Sequence, residues 1–180
     1  HSAVLLLQDA AARFAGNTAI EEFGRSITYS QYRTIARKIG TALLNSKYTN
    51  SPVVVFLDKN IKSLTSFMGA RYSSRPYVPV DINMPVYRLQ KIIDGLKPCI
   101  FITDNEHIET LKEVSFDNVE IKLYEDIENS EEDDELLLKS INKNRNDDNA
   151  YIIYTSGSTG VPKGAVRPDK GIKDWVDFVD

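Results

Sequence analysis

A stretch rich in hydroxyl side chains and glycines contains the residues of this chain best suited to chemistry. The apolar segment 150–154 runs into a turn that ends at a lysine. Hydroxyls can donate to phosphate oxygens, glycines let backbone N–H groups approach closely, and a lysine ammonium offsets phosphate charge. Residues 150–164 therefore predict a phosphate-binding loop. Its candidate binding residues are Thr155, Ser156, Gly157, Ser158, Thr159, Gly160, Lys163 and Gly164.

The spacing of this loop differs from that of two better-known nucleotide-binding loops. A Walker A loop reads G-x-x-x-x-G-K-[ST], whereas here the glycines and lysine read G-x-x-G-x-x-K-G from Gly157. Lys163 is followed by Gly164, not by the Ser or Thr that would bind magnesium. The dinucleotide pattern G-x-G-x-x-G is absent as well. The loop is therefore of neither kind.

The composition bounds the class of protein. The chain has 180 residues, of which 42% are hydrophobic and 27% charged, and this predicts one domain over 1–180. A single cysteine, Cys99, excludes an internal disulfide, and with only His1 and His107 beside it we expect no metal site built from protein side chains. No basic stripe with interleaved aromatics occurs, so we expect no nucleic-acid partner. We also expect no membrane segment and a cytoplasmic location, because no signal-peptide or membrane-spanning pattern occurs.

The negative charge is concentrated in one segment. The net charge is −4, and 125–135 contains acidic residues but no basic one. The rest of the chain is therefore net positive and can accept an anionic ligand. We predict that 125–149 is an acidic surface loop or linker, and it lacks the spacing of a calcium-binding loop.

The order of predicted elements indicates the fold class. Continuous apolar runs at 52–57 and 99–103 are typical of strands buried on both faces of a sheet, and helical patterns lie between the strands. This alternation predicts an α/β fold with a doubly wound, mainly parallel sheet flanked by helices. Pro79 predicts that 77–80 lies at a sheet edge or in a loop, and the clean alternation of 119–123 also predicts an edge. A helix pattern at 172–179 reaches the end of the chain, which predicts a piece of a longer protein.

Three ordered motifs carry a resemblance to a known family. The loop 151–164 is similar, nearly residue for residue, to the signature loop of the AMP-forming adenylating enzymes. Residues 26–32 and 75–89 resemble two further blocks of that family, in the same order. The Gly-Ser-Thr-Gly form of the loop and the sequence Pro79-Val80-Asp81 lean toward the amino-acid-activating branch. That branch includes non-ribosomal peptide synthetase adenylation domains and D-alanine–carrier protein ligases.

The resemblance implies a function for the protein to which the chain would belong. It implies the N-terminal subdomain of an adenylate-forming ligase that uses ATP and Mg²⁺ to convert an amino acid to its aminoacyl-adenylate, with release of pyrophosphate. A phosphopantetheinyl carrier protein or domain would then receive the aminoacyl group on its thiol. The eight loop residues named above would grip the β- and γ-phosphates of ATP. The other nucleotide-binding motifs and a catalytic lysine would lie beyond Asp180, so no catalytic residue is assigned here and the fragment alone is expected to be inactive.

One departure from the family and two alternatives accompany this interpretation. Asp169 stands where family members usually have a histidine, which places an acidic residue close to the expected phosphates. The first alternative is an acyl-CoA synthetase of the same family. The second is a degenerate, non-catalytic relative that serves as a scaffold.

Overall fold

The computed structural model describes residues 2–143, 149–155 and 162–168. Helices and strands alternate through most of this range, as the sequence predicts. In chain order they are α1 (Ala3–Arg13), β1 (Thr18–Glu22), β2 (Arg25–Thr28), α2 (Tyr29–Leu44), β3 (Val53–Phe56), α3 (Ile61–Tyr72), β4 (Tyr77–Val80), α4 (Val86–Leu96), β5 (Cys99–Thr103), a 3₁₀ helix (Ile108–Leu111), β6 (Val119–Leu123), α5 (Tyr124–Ile127), α6 (Asp134–Lys143), β7 (Asn149–Thr155) and β8 (Lys163–Pro168).

A six-stranded sheet forms the centre of the fold. Its strand order is β6-β5-β3-β4-β7-β8, and every neighbouring pair is parallel except β7 and β8, which are antiparallel. β1 and β2 form a separate antiparallel hairpin. The predicted α/β class with a mainly parallel sheet flanked by helices is confirmed, and β6 lies at the predicted edge.

Both faces of the sheet are covered, which explains the continuous apolar run in β3. Val54 and Phe56 belong to a core cluster that includes the buried face of α4. Val53 and Val55 belong to a second cluster with side chains of α2 and α3. Because successive strand residues point to opposite faces, a strand between two helical layers needs apolar residues at every position.

Side-chain caps mark the starts of α2 and α3. The Thr28 hydroxyl accepts a hydrogen bond from the Gln31 backbone N–H at 3.2 Å, and the Gln31 side chain accepts one from the Thr28 N–H at 2.8 Å. This reciprocal pair is a capping box at the start of α2. Asn60 and Ser63 form a similar pair at the start of α3.

The prediction that 77–80 lies at an edge or in a loop is wrong. β4 lies inside the sheet, between β3 and β7, and Pro79 is in register with Val55. Proline lacks an N–H, and the described register between β4 and β7 is correspondingly short, with one pair at Tyr77 and Tyr151. The sheet thus accommodates the proline by shortening one ladder instead of ending there.

The acidic segment 125–149 also differs from the predicted loop. The described part of it contains the end of α5 and the whole of α6. Leu137 is fully buried in a cluster with side chains of α1, α2 and α3. Burial of the apolar face of α6 offsets the high charge density of the segment, while the exposed face of the same helix remains acidic and solvated.

Two further expectations concern other parts of the chain. The helix predicted at 172–179, and Asp169 with it, lie outside the described residues. Among the helices that the structure describes, none has both the length and the apolar character needed to cross a membrane.

Candidate functional site

The predicted phosphate-binding loop is framed by the β7–β8 hairpin. Thr155, the last residue of β7, is in register with Lys163, the first residue of β8, and Tyr154 is in register with Gly164. The two strand ends therefore hold the ends of the predicted loop close together. The central loop residues lie outside the described ranges; they are Ser156, Gly157, Ser158, Thr159 and Gly160.

The hairpin places the loop at a favourable edge of the sheet. β7 is parallel to β4, so its carboxyl end lies at the same edge as the carboxyl ends of β3, β5 and β6. In open α/β sheets, ligands bind in the crevice outside this edge. The structure thus brings the predicted loop to the part of the fold where a ligand is expected.

Lys163 places a cation beside the loop. Its side chain is exposed, and it has no hydrogen bond or ion pair with any residue in the described part of the chain. The backbone register with Thr155 fixes the position of its Cα at the base of the loop. An ammonium in this position can neutralise an anion without first breaking a described salt bridge.

Gly164 has a packing role that the sequence did not reveal. A Cβ at this position would lie 3.1 Å from Ile152 Cγ2 and 3.2 Å from Tyr154 Cζ, closer than ordinary van der Waals contact. The absence of a side chain lets the Tyr154 ring lie across β8. Its predicted contact with phosphate stays a prediction, but part of the reason for glycine at this position is internal to the hairpin.

Tyr154 fixes the hairpin to the helical layer. Its ring packs against the core cluster that contains α4, and its hydroxyl lies 4.0 Å from the Cβ position that a side chain would have at Gly95. Burial, with a smaller contribution from Cys99, raises the pKa of Tyr154. The phenol therefore remains neutral and acts as a packing group at physiological pH.

The first residues of β7 are also anchored. The Arg71 guanidinium, buried at the end of α3, donates to the carbonyl of Asn149 at 2.9 Å and to the carbonyl of Arg75 at 3.0 Å. The Tyr151 ring lies 5.6 Å from the Tyr77 ring in the neighbouring strand. Both ends of β7 are therefore attached to the rest of the fold, which gives the loop a rigid base.

Carboxylates follow the neighbouring parallel strands at the same edge. Asp58, Asp81 and Asp104 come shortly after β3, β4 and β5, and Glu125 follows β6. Only Asp81 belongs to a motif recognised in the sequence, although an acidic residue soon after each strand is a pattern that the sequence displays. Lys62, at the start of α3, pairs with two of these carboxylates.

The Lys62 ammonium donates to Asp104 Oδ2 at 2.8 Å and to Glu125 Oε1 at 3.0 Å. Burial by itself would raise the pKa of Asp104, but hydrogen bonds from Lys62 and His107 outweigh it, so this pKa lies below its ordinary value. The pKa of Glu125 is also lowered, because the same ammonium and the backbone N–H groups of Glu125 and Asn105 together outweigh the effect of burial. Both carboxylates are therefore ionised and paired.

Comparison with known proteins identifies the family of the chain. The profile of a family described as AMP-binding enzyme matches residues 7–172. A D-alanine–D-alanyl carrier protein ligase of Listeria welshimeri serovar 6b is 35% identical over 146 residues, which is 80% of this chain. An isonitrile lipopeptide synthase of Streptomyces coeruleorubidus is 31% identical over 172 residues, which is 95% of this chain.

Solved structures show the same fold. The complex of VinN with 3-methylaspartate superposes with a TM-score of 0.79 over 96% of this chain, at 20% sequence identity, and the match covers 48% of the VinN chain. The chain spans only part of its curated relatives, with 28% of the Listeria ligase and 11% of the Streptomyces synthase matched.

Proposed function

Because this chain belongs to the family of AMP-binding enzymes, we propose that it is part of an ATP-dependent ligase that activates an amino acid. In the proposed reaction a carboxylate oxygen of the amino acid attacks the α-phosphorus of ATP, which forms the aminoacyl-adenylate and expels pyrophosphate. The thiol of a phosphopantetheinyl carrier then attacks the acyl carbon, AMP leaves, and the thiol proton is released. The observation that carries this proposal is the hydroxyl- and glycine-rich loop between β7 and β8, with Lys163, which pairs with no described side chain, at its base.

The residues at the loop suit the triphosphate of ATP. We propose that residues 155–160 supply hydroxyl and backbone N–H donors, and that Lys163 supplies the positive charge, all acting on the β- and γ-phosphates. Such donors stabilise charge that shifts onto the leaving pyrophosphate. Mg²⁺ would accompany the nucleotide and neutralise phosphate charge, held in part by the phosphate oxygens themselves. Gly164 would act mainly through the packing of Tyr154.

The relatives support an amino acid as the substrate class. The Listeria relative is a ligase that acts on D-alanine and a carrier protein. The Streptomyces relative is a lipopeptide synthase, and a third relative, tyrocidine synthase 1 of Brevibacillus parabrevis, is 29% identical over 174 residues. We therefore propose that the substrate is an amino acid and not a fatty acid. This proposal applies equally to the peptide synthetase branch and to the D-alanine ligase branch.

The test is exchange of labelled pyrophosphate into ATP, measured with protein made from the complete coding sequence. Each proteinogenic amino acid and D-alanine is supplied separately. We expect one of them to stimulate exchange well above the rate without amino acid. We expect Lys163→Ala to lower this exchange by roughly 10²-fold, the scale for removing one donor that stabilises transition-state charge. Lys139→Ala is the matched control, because Lys139 is an exposed lysine that pairs with Glu135 on α6.

Other outcomes would contradict the proposal. Exchange stimulated only by a fatty acid, with thioester formation on coenzyme A, would identify the acyl-CoA synthetase alternative. No exchange with any carboxylic acid would favour the scaffold alternative. Equal activity of the Lys163→Ala and Lys139→Ala variants would remove Lys163 from the proposed phosphate site.

A further inference from the structure

Three side chains that can bind metal ions converge at the carboxyl edge of the sheet. Asp58, Glu106 and His107 each place one potential ligand atom so that the three atoms lie within 4.8 Å of one another. Asp58 follows β3, and the other two follow β5, which is the direct neighbour of β3 in the sheet. Strand pairing therefore assembles the cluster from two loops.

The histidine of this cluster is oriented as a metal ligand would be. His107 is buried, and its Nδ1 lies 2.6 Å from Asp104 Oδ1. The backbone N–H of His107 donates to the same oxygen at 3.0 Å, and the other oxygen of Asp104 accepts from Lys62. A carboxylate held in this way accepts a hydrogen bond from the Nδ1–H of a neutral imidazole and leaves the Nε2 lone pair free, as in carboxylate–histidine–metal arrangements.

The distance on the other side of the ring also suits a shared cation. His107 Nε2 lies 3.5 Å from Asp58 Oδ2, longer than a normal N–H···O hydrogen bond of about 2.7–3.2 Å. Two atoms that ligate the same zinc ion at about 2.0–2.2 Å with tetrahedral angles lie roughly 3.4 Å apart. The observed separation therefore matches two ligands of one ion better than a direct hydrogen bond.

The solvent exposure of the ligands gives an ion a path into the cluster. Asp58 has a side chain that is 46% exposed, and Glu106 is exposed. A cation can therefore reach the cluster from solvent, while His107 is held from the protein interior. The remaining coordination positions would be taken by water.

We propose that His107 Nε2 and the carboxylates of Asp58 and Glu106 form a binding site for a divalent transition-metal cation of the zinc type. An imidazole ligand suits Zn²⁺, Co²⁺ and Ni²⁺, whereas Mg²⁺ prefers oxygen ligands only. This site is therefore distinct from the Mg²⁺ that would accompany ATP, and it does not depend on the proposed ligase activity. A bound ion would join the loop after β3 to the loop after β5.

The test uses the chain with His1→Ala, so that His107 is its only histidine. Zn²⁺ is titrated by calorimetry, and the same titration is followed through the imidazole nitrogen signals in NMR spectra. We expect one Zn²⁺ per chain and a shift of the Nε2 signal, with Nδ1 still protonated. Because changes even to outer-shell partners of metal sites weaken binding roughly 10- to 100-fold, we expect Asp58→Asn and Glu106→Gln each to weaken it at least tenfold.

Two variants complete the experiment. His107→Gln should abolish saturable binding, and far-UV circular dichroism shows whether it remains folded. Asp58→Asn and Glu106→Gln change exposed groups and keep the test decisive if His107→Gln unfolds. Glu113→Gln is the matched control, an exposed carboxylate outside the cluster whose loss should leave the affinity unchanged.

Three results would overturn the proposal. The first is no saturable Zn²⁺ binding by the folded His1→Ala chain. The second is binding that Asp58→Asn and Glu106→Gln leave as strong as Glu113→Gln does. The third is Mg²⁺ binding at the same groups with an affinity equal to that of Zn²⁺, which would remove the imidazole from the site.

Discussion

The close approach of α2 and α3 gives the sharpest stability prediction. At Gly69 in α3, an added Cβ would lie 2.4 Å from Ile39 Cγ2 and 2.7 Å from Ile39 Cβ, with the Ala36 carbonyl oxygen at 3.2 Å. Carbon atoms in contact normally lie about 3.5–4.0 Å apart, so Ile39 would have to retreat by about 1 Å. Ile39 is fully buried in the core against β3, and the third neighbour is backbone, so the two helices must move apart.

The size of the effect follows from two opposing terms. Overpacking of a core costs about 1–3 kcal/mol, and the 2.4 Å approach puts Gly69→Ala at the upper end of that range. Replacing glycine by alanine inside a helix returns about 1 kcal/mol. We therefore expect Gly69→Ala to lower the free energy of unfolding by about 2 kcal/mol, measured by urea denaturation with far-UV circular dichroism.

Gly95 in α4 provides a matched control. The nearest atom to its added Cβ is Tyr154 Oη at 4.0 Å, so the substitution meets no clash. Only the gain in helix propensity remains, and we expect Gly95→Ala to raise the free energy of unfolding by about 0.5–1 kcal/mol. A Gly69→Ala variant as stable as the wild type would refute the described approach of α2 and α3. Equal effects of the two variants would refute it as well.

Three further predictions concern buried polar groups. Arg71→Met leaves the Asn149 carbonyl without its guanidinium donor, so we expect a loss of about 2 kcal/mol of stability and faster hydrogen exchange in β7. Burial raises the pKa of the Cys99 thiol to about 11, so at pH 8 we expect disulfide reagents to label it only as fast as the chain unfolds, and quickly in urea. The pKa of Asp104 is lowered on folding, so its stabilising contribution is present above pH 4, where the unfolded carboxyl is ionised, and is lost as the pH falls through the folded pKa. Lys62→Met should reduce this acid-induced loss in denaturation measured from pH 6 to pH 3, and an unchanged pH profile would contradict the Lys62–Asp104 pair.

The sequence predicted most of the sheet because the relevant physics is local. The apolar runs that form β3 and β5 are continuous, whereas a strand with one buried face needs an apolar residue only at every second position. Continuous runs are typical of strands between two helical layers. β8 was not predicted. Every residue of Lys163–Pro168 is exposed, so the strand needs no regular apolar pattern and its sequence shows none. The position of β4 inside the sheet was not predicted. The missing N–H of Pro79 weakens pairing only with the strand that this backbone position faces, and the sequence does not show which strand that is.

The sequence predicted less of the site because several of its contacts are long-range. The loop 150–164 could be recognised from hydroxyls and glycines that are adjacent in the chain. The packing of Tyr154 over Gly164 depends on the hairpin register, and that register involves a strand without a sequence signal. The cluster around His107 forms only because β3 and β5 pair, so the two halves of the cluster have no fixed spacing in the sequence.

The carboxylates at the ligand-binding edge raise the question of how a triphosphate could be held nearby. Neighbouring strands lie about 4.8 Å apart, so β3 and β7, separated by β4, lie roughly 10 Å apart. One unpaired charge at that distance would repel a phosphate charge by about 0.4 kcal/mol in water, and by more where water is excluded. Asp104 and Glu125 share the single positive charge of Lys62, which offsets half of their combined charge, while Lys163 has no salt bridge within the described residues. A cation bound by Asp58, Glu106 and His107 would cancel much of the remaining negative charge. The ion pairs and the proposed metal site would thus lower the same electrostatic cost, because both place positive charge beside carboxylates at this edge of the sheet.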